Sequence, residues 1–393
     1  MKPLARYLIV LAPLMLAACA GTPEENEPAE LTDFVIERDV EKLWSAGIGK
    51  GQGKGLYQLR PAIEGDTIYA VSADGKLQAR DSATGKKRWK RDLELAVSGG
   101  VGIDSERLYL GTAEGKVVAY DLKGEQLWET QLNGEVLAPP VSDEEIVVAQ
   151  TYDGQVVGLD ALTGEKLWAF AASVPRLTLR GTSTPLLDGQ TVYAGLANGR
   201  VVALDRKTGE LRWEQRVAVP KGSTEIERLS DVDGSLLLHS GVLYAVGYQG
   251  KLVAIDVRSG RPLWERDLSS YSGAVEGYGN IYVADAQGSI HAFEQNGQGV
   301  VWTQTILARR KLTEPAILSG SLVVGDFEGY LHFVSQIDGH LVSRVRVDSS
   351  GVRAPMSVAD DKLYVFSNDG KLVAYTFERD KPGFFKRLFG ADE

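Results

Sequence analysis

Short, largely apolar runs recur along the chain, and turn residues separate them at regular intervals. A typical unit is "NGRVVALDRKTGELRW", from Asn198 to Trp213, where "NG" and "TG" flank the apolar run. Asn-Gly and Asp-Gly pairs favour tight hairpin turns because Gly and Asn adopt positive φ at little cost. The pattern therefore predicts antiparallel strands joined by hairpins, with no helical periodicity in these units.

The unit repeats about every 40 residues, which indicates a repeat architecture. Six copies end in tryptophan, at Trp89, Trp128, Trp168, Trp213, Trp264 and Trp302. A seventh copy has Ser343 in the tryptophan position, and an eighth lacks its last strand. A further apolar stretch precedes each hairpin, so each unit holds four short strands, the size of a β-propeller blade.

The segment from Asp39 to Ile48 has no copy of its own, and it contains the seventh tryptophan, Trp44. We expect it to complete the eighth blade, which closes the ring and removes the open sheet edges. The predicted fold class is all-β, an eight-bladed β-propeller of four-stranded antiparallel blades over residues 39–378. We expect the glycine-rich stretch 49–55 to be a flexible link into the first blade, and the tryptophans to pack between blades.

The N-terminus has the features of a secretion signal: a basic start, an apolar run and the sequence "LAAC" ending at Cys19. It resembles the signals of bacterial lipoproteins, which implies a signal peptide over 1–18 and a lipid on Cys19. Ala20 follows Cys19, which favours the periplasmic face of the outer membrane. We expect residues 19–38, rich in Pro and Glu, to be a flexible tether, and residues 379–393 to be a C-terminal tail.

Charge and cysteine content narrow the function classes. The net charge is −10, so nucleic acid is not an expected partner, and the lipid is the only expected contact with membrane. Cys19 is the one cysteine, so no disulfide forms within the chain. The four histidines lack ligand spacing and no nucleophile motif occurs, so we expect no metal, no cofactor and no catalytic residues.

Two neighbouring gaps between hairpin glycines are longer than the rest, at 45 and 51 residues against 38 to 41. Insertions in repeat proteins map to loops, often on a binding face. The first insertion contains Leu177, Leu179 and Arg180, and the second, "GSTEIERLSDVDG", contains Asp231 and Asp233. These five residues are the candidate partner-binding site, because the two leucines should be exposed in their loop and arginine is a typical interface anchor. The alternative is a self-contained loop whose leucines pack beneath it.

The repeats resemble those of quinone-dependent alcohol dehydrogenases, but the cysteine pair that those enzymes use is absent. "LAAC", "LTLRG", "GSTEIERLSDVD" and "GDFEGYLHF" together resemble the BamB family of the outer-membrane β-barrel assembly machinery, over nearly the whole mature chain. The resemblance implies a non-enzymatic scaffold whose two insertions dock on the periplasmic POTRA domains of BamA. It also implies unfolded outer-membrane protein precursors as clients. A quinone-dependent dehydrogenase and a glycan-binding propeller are the alternatives.

Overall fold

A computed structural model describes residues 27–55, 57–175, 177–179, 181–219, 223–224 and 226–378. These residues form strands and turns, and they contain no helix long and apolar enough to cross a membrane. The strands of the first four blades are β2 (Ala62–Glu64), β3 (Thr67–Val71), β4 (Lys76–Asp81), β5 (Lys87–Asp92), β6 (Val97–Ile103), β7 (Arg107–Thr112), β8 (Lys116–Asp121), β9 (Gln126–Gln131), β10 (Val141–Ser142), β11 (Ile146–Gln150), β12 (Gln155–Asp160), β13 (Lys166–Ala171), β14 (Leu186–Asp188), β15 (Thr191–Gly195), β16 (Arg200–Asp205) and β17 (Leu211–Arg216).

The other four blades follow the same order, except that the last borrows the first strand of the chain. Their strands are β18 (Leu237–His239), β19 (Val242–Val246), β20 (Lys251–Asp256), β21 (Pro262–Asp267), β22 (Ala274–Gly277), β23 (Asn280–Ala284), β24 (Ile290–Glu294), β25 (Val300–Gln304), β26 (Ala316–Leu318), β27 (Ser321–Gly325), β28 (Tyr330–Ser335), β29 (Leu341–Arg346), β30 (Ser357–Ala359), β31 (Lys362–Phe366), β32 (Lys371–Phe377) and β1 (Val40–Gly47).

The described residues thus form eight four-stranded antiparallel sheets, which confirms the predicted propeller. The first strands of neighbouring blades contact one another around the centre, and the second and third strands carry the buried core. Fourth strands such as β5 and β21 alternate exposed and half-buried residues, as expected at the rim of a ring. The hydrophobic core therefore lies between the blades rather than within any one of them.

Strand direction divides the ring into two faces. Because strands alternate in direction, the connections between blades lie on the same face as the second hairpin of each blade. We call this the insertion face, since both long insertions are connections between blades. The first and third hairpins of each blade lie on the opposite face.

Each tryptophan fastens its blade to the next one. The indole N–H of Trp128 donates to the carbonyl of Ala161 at 3.0 Å, and the ring covers Gly164, where a Cβ would come within 2.5 Å of it. Gly164 also has a φ of +73°, so this turn requires glycine twice over. The same bond joins Trp44 to Ser82, Trp89 to Leu122, Trp168 to Arg206, Trp213 to Val257, Trp264 to Gln295 and Trp302 to Gln336. The predicted packing between blades is confirmed.

The ring closes between the first and last strands, as the sequence predicts. β1 pairs with β32 from Val40 opposite Phe377 to Gly47 opposite Lys371. This joint explains Ser343: blade eight takes its fourth strand from the N-terminus, so it has no third hairpin to receive an indole from blade seven. The stretch 49–55 packs against the second hairpin of the last blade, where a Cβ on Gly51 would come within 2.2 Å of the Gly370 nitrogen.

Residues 27–38 differ from the predicted flexible tether. The backbone N–H of Ala29 donates to the carbonyl of Ala308 at 2.9 Å, and that of Glu37 to the carbonyl of Val342 at 3.0 Å. Leu31 packs against the core formed by blades six and seven. The sequence prediction was wrong for these residues, because apolar and arginine-lined partners nearly 300 positions away hold a segment that is polar by composition.

Candidate functional site

The two insertions lie at neighbouring joints of the ring. The first connects β13 to β14, between blades three and four, and the second connects β17 to β18, between blades four and five. Both are therefore on the insertion face, one blade apart. The predicted residues of the two insertions can act together because the connections touch, through a hydrogen bond between Leu179 and Asp231.

Asp231 links the second insertion to the first. Its Oδ2 accepts the backbone N–H of Leu179 at 2.5 Å, and the side chain has no exposed surface. The backbone carbonyl of Asp231 accepts the N–H of Tyr248 at 2.8 Å, which fixes the residue on blade five. Asp231 therefore holds the leucine-bearing loop in place from below, and its carboxylate does not face solvent.

Asp233 lies directly beneath the next turn of the first insertion. A Cβ on Gly181 would come within 2.5 Å of the Asp233 carboxylate, so the loop passes over the side chain as closely as glycine permits. The hydroxyl of Ser183 donates to the carbonyl of Gly234 at 3.0 Å. Three successive contacts thus join the two connections into one unit.

Burial changes the acidity of both aspartates. Desolvation raises the pKa of Asp231 to about 6, although the N–H groups of Leu179 and Ser230 oppose the shift. Desolvation and the neighbouring Asp231 raise the pKa of Asp233 to about 8. Asp233 is half-buried as a residue, but its Oδ1 is shielded from solvent and, like Oδ1 of Asp231, has no hydrogen-bond partner among the described residues. The pair therefore keeps protons more readily than ordinary carboxyl groups.

These shifts predict a stability that falls with pH. A carboxyl pKa raised above its ordinary 3.8 contributes stability that is complete below that value and is lost as pH rises through the folded pKa. We expect Asp233→Asn to increase the free energy of unfolding at about pH 8 and to flatten its decline above about pH 4. Urea unfolding at several pH values measures this.

The matched control is Glu227→Gln in the same insertion. N–H groups of Thr224 and Ser223 lower the pKa of Glu227, so removal of its charge gives no gain at high pH. A wild type with the same stability across this range, or an Asp233→Asn variant no more stable at high pH, would contradict the burial argument.

The outer part of the two insertions presents apolar side chains to solvent. Leu177 is 41% exposed and Ile226 is 68% exposed, while Leu179 is half-buried. Beside them, a groove of about 720 Å³ runs between the two connections and is lined by Pro175, Val219, Phe170, Leu196, Glu214 and Arg228 among others. The sequence interpretation missed Ile226 and Arg228, although both lie in the irregular stretch that it singled out.

The second insertion divides into an exposed and a buried half. Glu227 accepts the N–H groups of Ser223 and Thr224 at 2.7 and 3.0 Å, and the Thr224 hydroxyl accepts the N–H of Glu227 at 3.2 Å. This reciprocal pattern is a capping box, which closes a local turn within the insertion itself. The following residues, Leu229 to Val232, are buried. The insertion therefore places a compact exposed turn on a fixed base.

Two predicted residues, Arg180 and Cys19, lie outside the residues that the structure describes. Within the described ranges, no group of three or more metal-ligating side chains comes together. The site that the structure does describe is a pair of interlocked loops with apolar residues above and two aspartates below, of which Asp231 is buried and Asp233 half-buried. Such a surface binds another macromolecule more readily than it performs chemistry on a small one.

The fold defines a class, the eight-bladed β-propeller of four-stranded antiparallel blades. The sequence belongs to a known family of that class. The family described as "Outer membrane protein assembly factor BamB" matches residues 34–96, 73–304 and 286–380, and the chain is a member of it.

Similar proteins agree over almost the full length. Outer membrane protein assembly factor BamB of Pseudomonas aeruginosa is 48% identical over 94% of this chain and 97% of its own length. The Escherichia coli protein of that name is 35% identical over 93% and 97%. The crystal structure of BamB from Moraxella catarrhalis matches with a TM-score of 0.80 and 30% identity, over 86% of this chain and all of that one.

Quinone-dependent enzymes are more distant. Quinohemoprotein alcohol dehydrogenase from Comamonas testosteroni superposes with a TM-score of 0.69 over 86% of this chain and 76% of its own, but at 14% identity. That likeness shows the fold alone. The chain therefore groups with the assembly factors and not with the dehydrogenases.

Proposed function

We propose that the protein is a non-enzymatic scaffold in the assembly of outer-membrane proteins and that its two interlocked insertions dock on a partner of the assembly machinery. Full-length relatives named as assembly factors support the role. The observation that carries the docking site is the Asp231–Leu179 hydrogen bond, because it fixes an exposed leucine loop on a rigid base.

The proposed partner is BamA, through its periplasmic POTRA domains. Leu177 and Ile226 supply exposed apolar surface, and Arg180 supplies a planar donor that can meet a carboxylate or a carbonyl. Asp231 acts from beneath as a positioning residue, since its carboxylate is sealed from solvent. Asp233 supports the same loop under Gly181.

A lipid on Cys19 would hold the scaffold at the periplasmic face of the outer membrane. The "LAAC" sequence and the outer-membrane role named for the relatives support this localisation. Two or more acyl chains give a stable anchor, whereas one gives marginal binding. Replacement of Cys19 by alanine should abolish acylation of the protein, which incorporation of a labelled fatty acid measures.

The docking surface predicts a specific loss of binding. We expect the wild type to bring down a large barrel protein from solubilised envelopes, and a Leu177→Ala, Leu179→Ala, Arg180→Ala variant to lose it. Truncation of an arginine that anchors an interface typically costs about 2 kcal/mol or more, which is the loss expected for Arg180. Circular dichroism establishes that the variant is folded.

The matched control removes similar residue types from third hairpins on the opposite face. Leu162→Ala, Ile337→Ala and Arg258→Ala change two exposed aliphatic side chains and one exposed arginine. This control should bind as the wild type does. Equal capture by wild type, control and loop variant would place the site elsewhere on the ring.

Unfolded precursors are the proposed clients, and blade rims are their proposed contact. Every fourth strand is a sheet edge, and several carry exposed aliphatic side chains: Leu127, Leu167, Leu211, Leu263 and Val300. An extended precursor can add a strand to such an edge. We expect a photocrosslinker at Leu263 to capture precursors more than one at Tyr278, which is exposed on a turn of the opposite face. Crosslinks that avoid the rims would contradict this mode.

A further inference from the structure

The motif "GDFEGYLHF", from Gly325 to Phe333, is the one family feature that the docking loops leave without a role. It lies in blade seven, away from both insertions, and contains two fully buried polar residues. His332 Nε2 contacts Asp326 Oδ2 at 2.9 Å, and neither side chain has exposed surface. A buried pair of this kind needs a local purpose, since desolvation of a charged group is costly.

The pair supports two arginines. Arg310, only 3% exposed, donates from Nε to Asp326 at 2.8 Å and also pairs with Glu328. Arg344 donates from Nε to His332 Nδ1 at 3.3 Å. Each guanidinium group is thereby fixed through its Nε, which leaves its Nη1 group outside the cluster.

Both arginines bind the N-terminal segment, residues 27–38. Arg310 donates to the carbonyl of Ala29 at 2.9 Å, and Arg344 donates to the carbonyl of Thr32 at 3.1 Å. The Arg344 guanidinium also lies 4.9 Å from the ring centre of Phe34, which packs with Leu31 against the core of blades six and seven. Val35 and Ile36, in contrast, are exposed. The segment therefore uses particular side chains to bind a preformed site.

Binding of residues 27–38 to blade seven changes the face of the ring at which the N-terminal part of the chain emerges. β1 begins at Val40 on the opposite face, because it runs toward the link that enters blade one on the insertion face. Residues 27–38 run back along β29, and Arg309 at the blade six to blade seven connection donates to the carbonyl of Glu27 at 2.5 Å. The described chain thus begins at the insertion face rather than at the opposite one.

The stretch of chain between Cys19 and the bound segment is short. Glu27 is eight positions after Cys19, so an extended chain spans at most roughly 29 Å between them. With the segment released, the nearest fixed residue would be Asp39, twenty positions after Cys19, which allows a span of roughly 70 Å that starts at the opposite face.

We propose that the Arg310–Asp326–His332–Arg344 cluster is a binding site for the chain's own N-terminal segment, and that this binding directs the insertion face toward the membrane. The orientation rests on the lipid anchor at Cys19 proposed above, whereas the binding of the segment does not.

Hydrogen exchange on the mature, lipidated protein tests the binding. We expect the amides of Ala29 and Glu37 to exchange at least ~10-fold more slowly than in a Leu31→Ala, Phe34→Ala variant. Val35→Ala with Ile36→Ala is the matched control on the same segment and should keep the protection. Arg310→Gln changes the blade instead of the segment, and it should also lower the protection of these amides. Unprotected wild-type amides, or protection unchanged in the Leu31→Ala, Phe34→Ala variant, would overturn the binding site.

Fluorescence quenching by spin-labelled lipids in vesicles tests the orientation. Cys19 is the only cysteine and carries the lipid, so a single introduced cysteine supplies one free thiol for a fluorophore. Gln287→Cys places it on a blade-six turn at the insertion face, and Gln298→Cys places it on a blade-six turn at the opposite face. We expect stronger quenching at position 287, and a reduced or reversed difference after Leu31→Ala with Phe34→Ala. Equal quenching in the otherwise unchanged protein would overturn the orientation. Failure to sediment with vesicles would overturn the anchor, and the exchange result would still decide the binding.

Discussion

Trp168→Ala should lower the free energy of unfolding by about 3–5 kcal/mol, the usual cost of removing a large buried aromatic side chain. The side chain is 7% exposed and donates to the carbonyl of Arg206 at 2.8 Å, so the variant loses both packing and a bond between blades three and four. Its ring also lies where a Cβ on Gly158 would come within 2.3 Å, which explains the glycine that replaces the usual alanine in this repeat. Urea denaturation followed by circular dichroism gives the value.

The neighbouring residue offers a matched control. Leu167 is 51% exposed on the same strand, and Leu167→Ala should change stability by no more than about 0.5 kcal/mol. A Trp168→Ala variant as stable as Leu167→Ala would mean that the tryptophans do not hold the blades together.

Asp231→Ala should weaken partner binding by about 2 kcal/mol, roughly 30-fold in affinity, even though the side chain cannot touch the partner. The substitution removes the acceptor for the Leu179 N–H and so releases the loop that carries Leu177. Asp231→Asn keeps an oxygen in that position and loses only the charge. We therefore expect Asp231→Asn to bind nearly as the wild type does.

The comparison of Asp231→Ala with Asp231→Asn distinguishes a role in positioning the Leu179 loop from a direct effect of the Asp231 charge on the partner. Binding can be measured by titration of each purified variant against the purified periplasmic part of the partner, with hydrogen exchange at Leu179 as the structural readout. If Asp231→Asn loses binding as fully as Asp231→Ala while Leu179 stays protected, the carboxylate acts on the partner by charge and the positioning role is wrong.

The propeller could be predicted because its information is local and repeated. Each hairpin glycine and each tryptophan recurs at the same place in the unit, so an error in one copy is corrected by the others. The closing role of Trp44 followed from counting strands. The reason for Ser343 became clear only from the joint, where the missing third hairpin leaves an indole without an acceptor.

The sequence located the two insertions in the chain but did not show which of their side chains are buried. Spacing located the insertions, yet the aspartates had the composition of an exposed loop, and only the contact with Leu179 shows that Asp231 is buried. Residues 27–38 were missed for a related reason. Their partners Arg310 and Arg344 lie on blade seven, and composition alone carries no information about such distant contacts.

The closure of the ring has a consequence for the order in which the protein is made and exported. β1 is the first blade strand to be synthesised, and its partner β32 is the last. Throughout synthesis and export, β1 therefore has an unpaired edge, and blade eight cannot form until the final strand has arrived. Pairing between chain ends is slow, and an unpaired strand invites aggregation. Truncation after Lys371 should consequently disturb folding far more than its length suggests, since it would leave both ends of the ring without partners.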